Sequence, residues 1–191
     1  MEFPVVIQHR HVHLSKEDAA LLFGNEVKLN SVRQISHSGQ YLCEQTVDIM
    51  GKNGIFEGVR ILGPFRENTQ VELSASDAFA IGIDAPVRIS GDLNRSGSCT
   101  IKGPCESLKT KFQTIIPTRH LHCNDQIARK LGLKHLETIS VEFVDDEKQC
   151  IDHVVVRVHP TFANEFHISA DEASHLWIQP HHRIRVCSKK D

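Results

Sequence analysis

Two hexapeptides hold the residues best suited to chemistry: Arg10-His11-Val12-His13-Leu14-Ser15 near the start, and Arg119-His120-Leu121-His122-Cys123-Asn124 past the middle. Side chains alternate faces along an extended strand, so both histidines of each His-x-His project to one side and can share a metal ion. A second matched pair, Val71-Glu72-Leu73-Ser74-Ala75-Ser76-Asp77-Ala78 and Phe166-His167-Ile168-Ser169-Ala170-Asp171-Glu172-Ala173, sets Glu72 opposite His167. Each half thereby gains a third ligand, giving two triads, His11/His13/Glu72 and His120/His122/His167. Three protein ligands leave a fourth position for water or substrate, the arrangement of catalytic rather than structural zinc. Ligand type alone does not separate zinc from cobalt, nickel or iron. The competing reading is two structural histidine pairs bonded to backbone.

The elements that must position these ligands are legible around them. His13, Glu72, His122 and His167 each stand two residues before Ser15, Ser74, Asn124 or Ser169. These four read as helix N-caps, with an acid three residues on at Asp18, Asp77 and Glu172 and Asp125 in the first turn after Asn124. A strand end carrying ligands beside a helix N-terminus presents free N–H groups and a positive dipole end, which favour an anion. Helix, glycine and strand follow in order: Lys16 to Phe23, Gly24 and a strand at Val27 to Leu29, then Ser76 to Ile89 through Gly82, and Asp125 to Val144 through Gly132. The fourth copy, Asp171 to Val186, has Trp177-Ile178 where the glycine would fall.

Short β-branched runs at Pro4–Ile7, Thr46–Met50, Val59–Leu62, Cys99–Ile101, Phe112–Ile116 and Asp152–Val158 predict small sheets or barrels, with a hairpin turn at Gly51-Lys52-Asn53-Gly54. The most linker-like run is Asn94 to Ser98, then Gly103-Pro104 and Lys109 to Lys111. His11 and His120 are 109 positions apart (120 − 11), a spacing that suits a duplicated domain rather than a solenoid repeat. The boundary falls near residue 117.

The bulk properties exclude several classes. The 191 residues allow one large or two small domains. A formal charge of −2 gives no electrostatic footprint for nucleic acid or an anionic membrane. No apolar run approaches the roughly 20 residues of a membrane span, and Met-Glu-Phe-Pro-Val-Val is not a signal peptide, so a cytosolic protein is expected. Six cysteines without Cys-x-x-Cys read as reduced thiols, with Cys43, Cys123, Cys150 and Cys187 as buried, inert side chains. Alternation turns Cys123 away from its neighbouring histidines. Of 13 histidines, six lie in the repeated motifs (His9, His11, His13, His120, His122, His167) and the rest read as surface or half-buried imidazoles. There is no Gly-x-Gly-x-x-Gly and no phosphate-cradling Gly-Lys-Ser/Thr.

Arg66, in Gly63-Pro64-Phe65-Arg66-Glu67-Asn68, precedes Glu72 by six residues and is a candidate for bidentate capture of phosphate or carboxylate. The turns Ser90-Gly91-Asp92 and Ser38-Gly39-Gln40 also offer groups to an anion.

Taken together, Arg10 to Ser15, the run Val59 to Glu72, Asp84-Ala85-Pro86-Val87-Arg88 with Ser90-Gly91-Asp92-Leu93, and Arg119 to His122 resemble the PduL-type phosphotransacylases, or phosphate propanoyltransferases. The resemblance runs from about Val5 to Val186. It implies a mainly β fold with short helices: two similar small β-barrel domains from an internal duplication, residues 10–117 and 118–191, with a dimetal zinc site between them. In that family the leading strand can join the second barrel, so residues 1–9 are expected to pack with 118–191. The implied reaction moves a propanoyl or acetyl group reversibly between coenzyme A and inorganic phosphate. The resemblance implies His11, His13 and Glu72 on one Zn2+ and His120, His122 and His167 on the other, with Arg66 as the catalytic, phosphate-binding arginine. Coenzyme A contacts are implied at Gln8, Arg60, Leu62 and Ser174, although the family often has Ser in place of Gln8 and Asn in place of Ser174. Members sent to bacterial microcompartments usually carry an amphipathic helix before the first His-x-His; here that motif begins at residue 10, and a freely cytoplasmic enzyme is expected. No nucleic-acid or membrane partner is implied; an exposed barrel edge could make a homodimer, and the sequence does not fix the oligomeric state. Two other readings stay open: a dimetal hydrolase of an ester or phosphoester, and a non-catalytic metal-stabilised binding module.

Overall fold

Short strands with alternating apolar residues account for most of the regular structure. The computed structural model describes residues 1–35, 39–144 and 150–187; Ser38, the first residue of one of the two candidate turns, lies outside them. In chain order the elements are β1 (Glu2–Gln8), β2 (His11–His13), α1 (Lys16–Phe23), β3 (Ser31–Gln34), β4 (Tyr41–Met50), β5 (Ile55–Gly63), β6 (Gln70–Glu72), α2 (Ala75–Ile81) and β7 (Val87–Arg88). They continue with β8 (Thr100–Lys102), β9 (Ser107–Lys109), β10 (Thr114–Pro117), β11 (His120–Cys123), α3 (Asp125–Leu131), β12 (Thr138–Phe143), β13 (Cys150–Val158), β14 (Glu165–Ser169), α4 (Ala170–His175) and β15 (Arg183–Val186). The fold is therefore mainly β with four short helices among the described residues. None of these helices is long and apolar enough to cross a membrane.

The chain divides into two units, Met1–Gln8 with Thr118–Asp191, and His9–Pro117. In the first, β1-β14-β11-β13-β12-β15 form a closed barrel, and β1 closes it by pairing parallel with β14 and antiparallel with β15. Its interior is packed by Phe3, Val5, Leu121, Val141, Val154, Val156, Phe166, Ile168 and Ile184. In the second unit a nine-stranded sheet runs β7-β10-β6-β2-β5-β4-β8-β9, with β3 added on β4. Its core is Val12, Leu14, Leu22, Ile49, Ile61, Val71, Leu73 and Ile101. This sheet is open where the other is closed, because its end strands, the two-residue β7 and the three-residue β9, pair only inward.

The two units repeat one local pattern. β2 lies between parallel β5 and antiparallel β6, and β11 lies between parallel β13 and antiparallel β14. Each ligand strand then runs into a capped helix. Ser15, Ser74, Asn124 and Ser169 accept from the backbone N–H of Asp18, Asp77, Ile127 and Glu172, and only Ser169/Glu172 completes a reciprocal capping box. The two aspartates are engaged elsewhere, Asp18 by the Thr69 hydroxyl and Asp77 by Arg10.

Two expectations fail here. Val27–Leu29 is not a strand; Val27 and Leu29 pack as loop residues on the core, and the strand begins at Ser31. The run from Asn94 to Lys111 is not a linker. It contains β8 and β9, turned by Gly103-Pro104 and tied by Cys99 N–H to Thr110 Oγ1 at 2.9 Å. The hairpin turn at 51–54 is present, with Gly51 N–H donating to Gly54 O at 3.0 Å. A Cβ on Gly51 would lie 1.9 Å from the Ile81 carbonyl oxygen, which excludes any other residue.

Helices α2 and α3 end on Gly82 and Gly132 in the left-handed conformation, followed by Ile83 N–H to Ala78 O and Leu133 N–H to Ala128 O, both 2.8 Å. After α4 the same bond joins Ile178 N–H to Ala173 O at 2.8 Å, but the left-handed residue is Trp177, with φ 56° and 83% exposed. A side chain in that region costs about 1 kcal/mol, and this one recovers little by burial. Trp177→Gly is expected to stabilise this unit by roughly 1 kcal/mol, read as a higher urea midpoint with unchanged slope. A lower midpoint would mean that the indole makes contacts outweighing the strain.

Candidate metal centres

Strand register brings each triad together. In the antiparallel β2/β6 pair His11 stands opposite Glu72 and His13 opposite Gln70. The two-residue period puts the imidazoles and the carboxylate on one face. All three are buried, at 8%, 2% and 3% exposure. His11 Nδ1 donates to the His9 carbonyl at 2.9 Å and His13 Nδ1 to the Leu62 carbonyl at 3.2 Å. A carbonyl only accepts, so each Nδ1 carries the hydrogen and each Nε2 is left with a bare lone pair. Those two Nε2 atoms lie 3.2 Å apart, and the Glu72 carboxylate is 3.3 Å from one and 3.9 Å from the other. Three electron-rich atoms facing one another in a buried space repel unless a cation lies among them. The donor set therefore fits a metal ion better than a structural histidine pair.

The other triad repeats this in its own barrel. In the antiparallel β11/β14 pair His120 stands opposite His167 and His122 opposite Glu165. His120 Nδ1 donates to the Thr118 carbonyl at 2.8 Å. The three imidazole centroids are 4.4 to 4.8 Å apart, and His122 also stacks on Phe162 at 4.0 Å. Both ring nitrogens of His167 are buried without a hydrogen-bond partner, although Nε2 approaches a Glu165 carboxylate oxygen to 3.4 Å. An imidazole left this way in a protein interior costs free energy that a bound cation would offset. In each triad the three possible ligand atoms lie within 4.8 Å of one another. Cys123 is fully buried, and burial pushes its thiol up to about 12, so it stays a protonated core side chain.

Burial first, then the neighbouring His11 and Arg66, hold the His13 pKa well below that of a free imidazole. His122 is likewise lowered, by burial and then by His167, His120 and Arg157. Both are neutral in the fold at any pH where an unfolded histidine, near 6.5, begins to take a proton. Their contribution is complete above that value and is lost as pH falls below it. Chelator-treated protein is expected to lose about 1.4 kcal/mol per pH unit for each of these histidines below about pH 6, measured by urea unfolding. Flat stability down to about pH 5 would contradict the buried neutral state.

Gln70, which sequence reasoning passed over, and Ser90, which it offered only to an anion, hold Glu72. Gln70 Nε2 donates to Glu72 Oε1 at 2.5 Å and to Ser90 Oγ at 2.9 Å, and Gln70 Oε1 accepts from Gly91 N–H at 2.8 Å. Ser90 Oγ donates to Glu72 Oε1 at 3.0 Å and accepts from Arg66 Nη1 at 3.3 Å. Arg66 is thus one hydroxyl away from the triad carboxylate, half-buried, with its backbone N–H bonded to Leu14 O at 2.9 Å. Gln70 stands two residues before Glu72 on one strand, and the same period that found the ligands marks it. The arginine that opens each motif acts as a clamp: Arg10 pairs with Asp77 at 2.7 Å and Arg119 with Glu172 at 3.4 Å, each tying a ligand strand to the helix after the third ligand.

The other candidate positions are more scattered. Arg60 is exposed on β5 and Ser174 is exposed on α4. Leu62, also on β5, uses its carbonyl to orient His13. Gln8 ends β1 beside Ser169, with its Oε1 buried and without a partner.

Comparison with known proteins follows the same residues. The family profile described as phosphate propanoyltransferase matches residues 4–179. A phosphate propanoyltransferase of Thermotoga maritima is 42% identical over 171 residues, covering 89% of this chain and 81% of the relative. One from Rhodopseudomonas palustris is 37% identical over 185 residues, covering 97% and 82%. One from Listeria monocytogenes is 38% identical over 165 residues, covering 86% and 78%.

Proposed function

Because the chain belongs to the phosphate propanoyltransferase family, we propose that it moves a propanoyl or acetyl group reversibly between coenzyme A and inorganic phosphate. In this reading one zinc is held by His11, His13 and Glu72, a second by His120, His122 and His167, and Arg66 holds the phosphate. The observation that carries it is the link from Arg66 through Ser90 to Glu72, which joins an anion-binding guanidinium to a convergent metal-ligand set.

In the reaction a phosphate oxygen attacks the thioester carbonyl, the C–S bond breaks, and acyl phosphate and coenzyme A thiol leave. Bound zinc would supply Lewis acidity toward the acyl carbonyl or the sulfur. The remaining work belongs to the chain. The forked guanidinium of Arg66 holds phosphate in a fixed orientation and offsets its charge. Ser90 and Gln70 keep the Glu72 carboxylate aimed. The carbonyls of His9, Leu62 and Thr118 keep His11, His13 and His120 in the tautomer that presents Nε2. For coenzyme A we propose Arg60 and Ser174 as exposed contacts, the partnerless Gln8 Oε1 as an acceptor for a donor on the coenzyme, and Leu62 as an apolar one.

The test is loss of thioester absorbance with propanoyl- or acetyl-CoA, with and without phosphate. The reading expects turnover that requires phosphate and yields acyl phosphate. Release of free acid without phosphate would instead identify a hydrolase.

A further inference from the structure

A third group of side chains able to bind a metal lies in the closed barrel and shares no residue with either triad: Glu142, Cys150 and Cys187, whose ligand atoms fall within 4.8 Å of one another. Cys150 and Cys187 are not buried as expected. Cys150 is exposed and Cys187 half-exposed, whereas Cys43, Cys99 and Cys123 are the buried thiols. The reason lies in the register. β12 is flanked by β13 and β15, with Cys150 opposite Glu142 on one side and Cys187 N–H bonded to Ser140 O at 3.0 Å on the other. Val141, Phe143 and Ile184 take the inward positions of this corner. Alternation therefore turns Glu142, Cys150 and Cys187 to the outside, where they gather over one strand.

The carboxylate of Glu142 is prepared for a cation. Arg185 Nε donates to Glu142 Oε1 at 2.5 Å, fixing the side chain and leaving Oε2 toward the thiols, 4.0 Å from Cys187 Sγ. Asp152 is held by the Ser140 hydroxyl at 2.5 Å.

We propose that Glu142, Cys150 and Cys187 form a separate site for a thiophilic divalent cation of the zinc class. Two thiolates and one carboxylate match the ligand preference of such an ion and leave one position for water. Bonds of about 2.3 Å to sulfur and about 2.0 Å to oxygen set tetrahedral ligand atoms roughly 3.5 to 3.8 Å apart. Closing from the present spacing takes about 1 Å, within the reach of side-chain rotation. Binding forms two metal–sulfur bonds and one metal–oxygen bond and releases two thiol protons to solvent, with no change of oxidation state. The carboxylate argues for a cation over a disulfide, which would make no use of it. This site is independent of the acyl-transfer reading.

Cobalt(II) separates this site from the triads, which contain no sulfur. Chelated, reduced protein is reloaded with cobalt and compared with the Cys150→Ser/Cys187→Ser double variant and with Glu142→Gln, after circular dichroism establishes that all are folded. The expected result is an intense near-ultraviolet sulfur-to-cobalt charge-transfer band, lost in the double variant together with one metal equivalent per chain. Glu142→Gln should retain the band and bind cobalt at least tenfold more weakly. Phosphate-dependent acyl transfer should be the same in the zinc-loaded double variant as in the parent. Equal metal content and no difference in the band between parent and double variant would overturn the proposal. So would loss of both thiols to a disulfide in metal-containing buffer.

Discussion

His167→Ala is expected to lower turnover at least about 10³-fold, the effect of removing roughly 4 kcal/mol of transition-state stabilisation when a Lewis-acid site is dismantled. His167 is the most informative ligand to remove because neither ring nitrogen has a hydrogen-bond partner within the protein. Alanine therefore breaks no internal hydrogen bond of the barrel, and the neighbouring His120 and His122 remain with two ligand nitrogens for a metal that needs three. Metal analysis should show one equivalent lost while the triad of His11, His13 and Glu72 stays loaded. Full activity after that loss would mean that the all-histidine triad has no part in catalysis.

Arg66→Ala is expected to cost about 10² to 10³ in kcat/KM for phosphate, the range for deleting one charged donor aimed at a reacting anion. The effect should be selective, with metal content unchanged and the acyl-CoA KM moved much less. Arg66→Lys keeps the charge but loses the planar fork and should fall between the two. Because Arg66 is also linked to the Glu72 carboxylate through Ser90, an equal loss for both substrates, or loss of metal, would reassign it from phosphate binding to support of Glu72.

What could be seen in the sequence was what depends on local rules. The same-face histidines of His-x-His follow from the two-residue period of a strand, and the four helix caps follow from side chains reaching N–H groups three residues on. Equivalent registers on β2/β6 and β11/β14 then complete both triads. The mainly β character with short helices was legible for the same reason. What was hidden depends on partners distant in sequence. Ser90 meets Glu72 across 18 residues and Arg66 across 24, and no periodicity predicts those bonds. The run from Asn94 to Lys111 looks like a linker because its Gly, Asn and Ser content is that of a loop, yet pairing with β4 makes β8 a strand. Cys150 and Cys187 look like core residues among Val and Ile neighbours. Only the register against β12 reveals that they face outward with Glu142.

Two metal triads and Arg66 together should make this chain a phosphate-dependent acyltransferase. This is tested most directly by stripping the Cys150→Ser/Cys187→Ser variant with chelator and titrating zinc back while following thioester loss from propanoyl-CoA, with and without phosphate. In that background only the two triads of the described residues compete for the ion. The stripped protein should show no turnover, recovery should reach its plateau at two zinc ions per chain, and there should be none at any zinc level without phosphate. Turnover that survives complete metal removal, or two zinc ions bound without phosphate-dependent turnover, would contradict it.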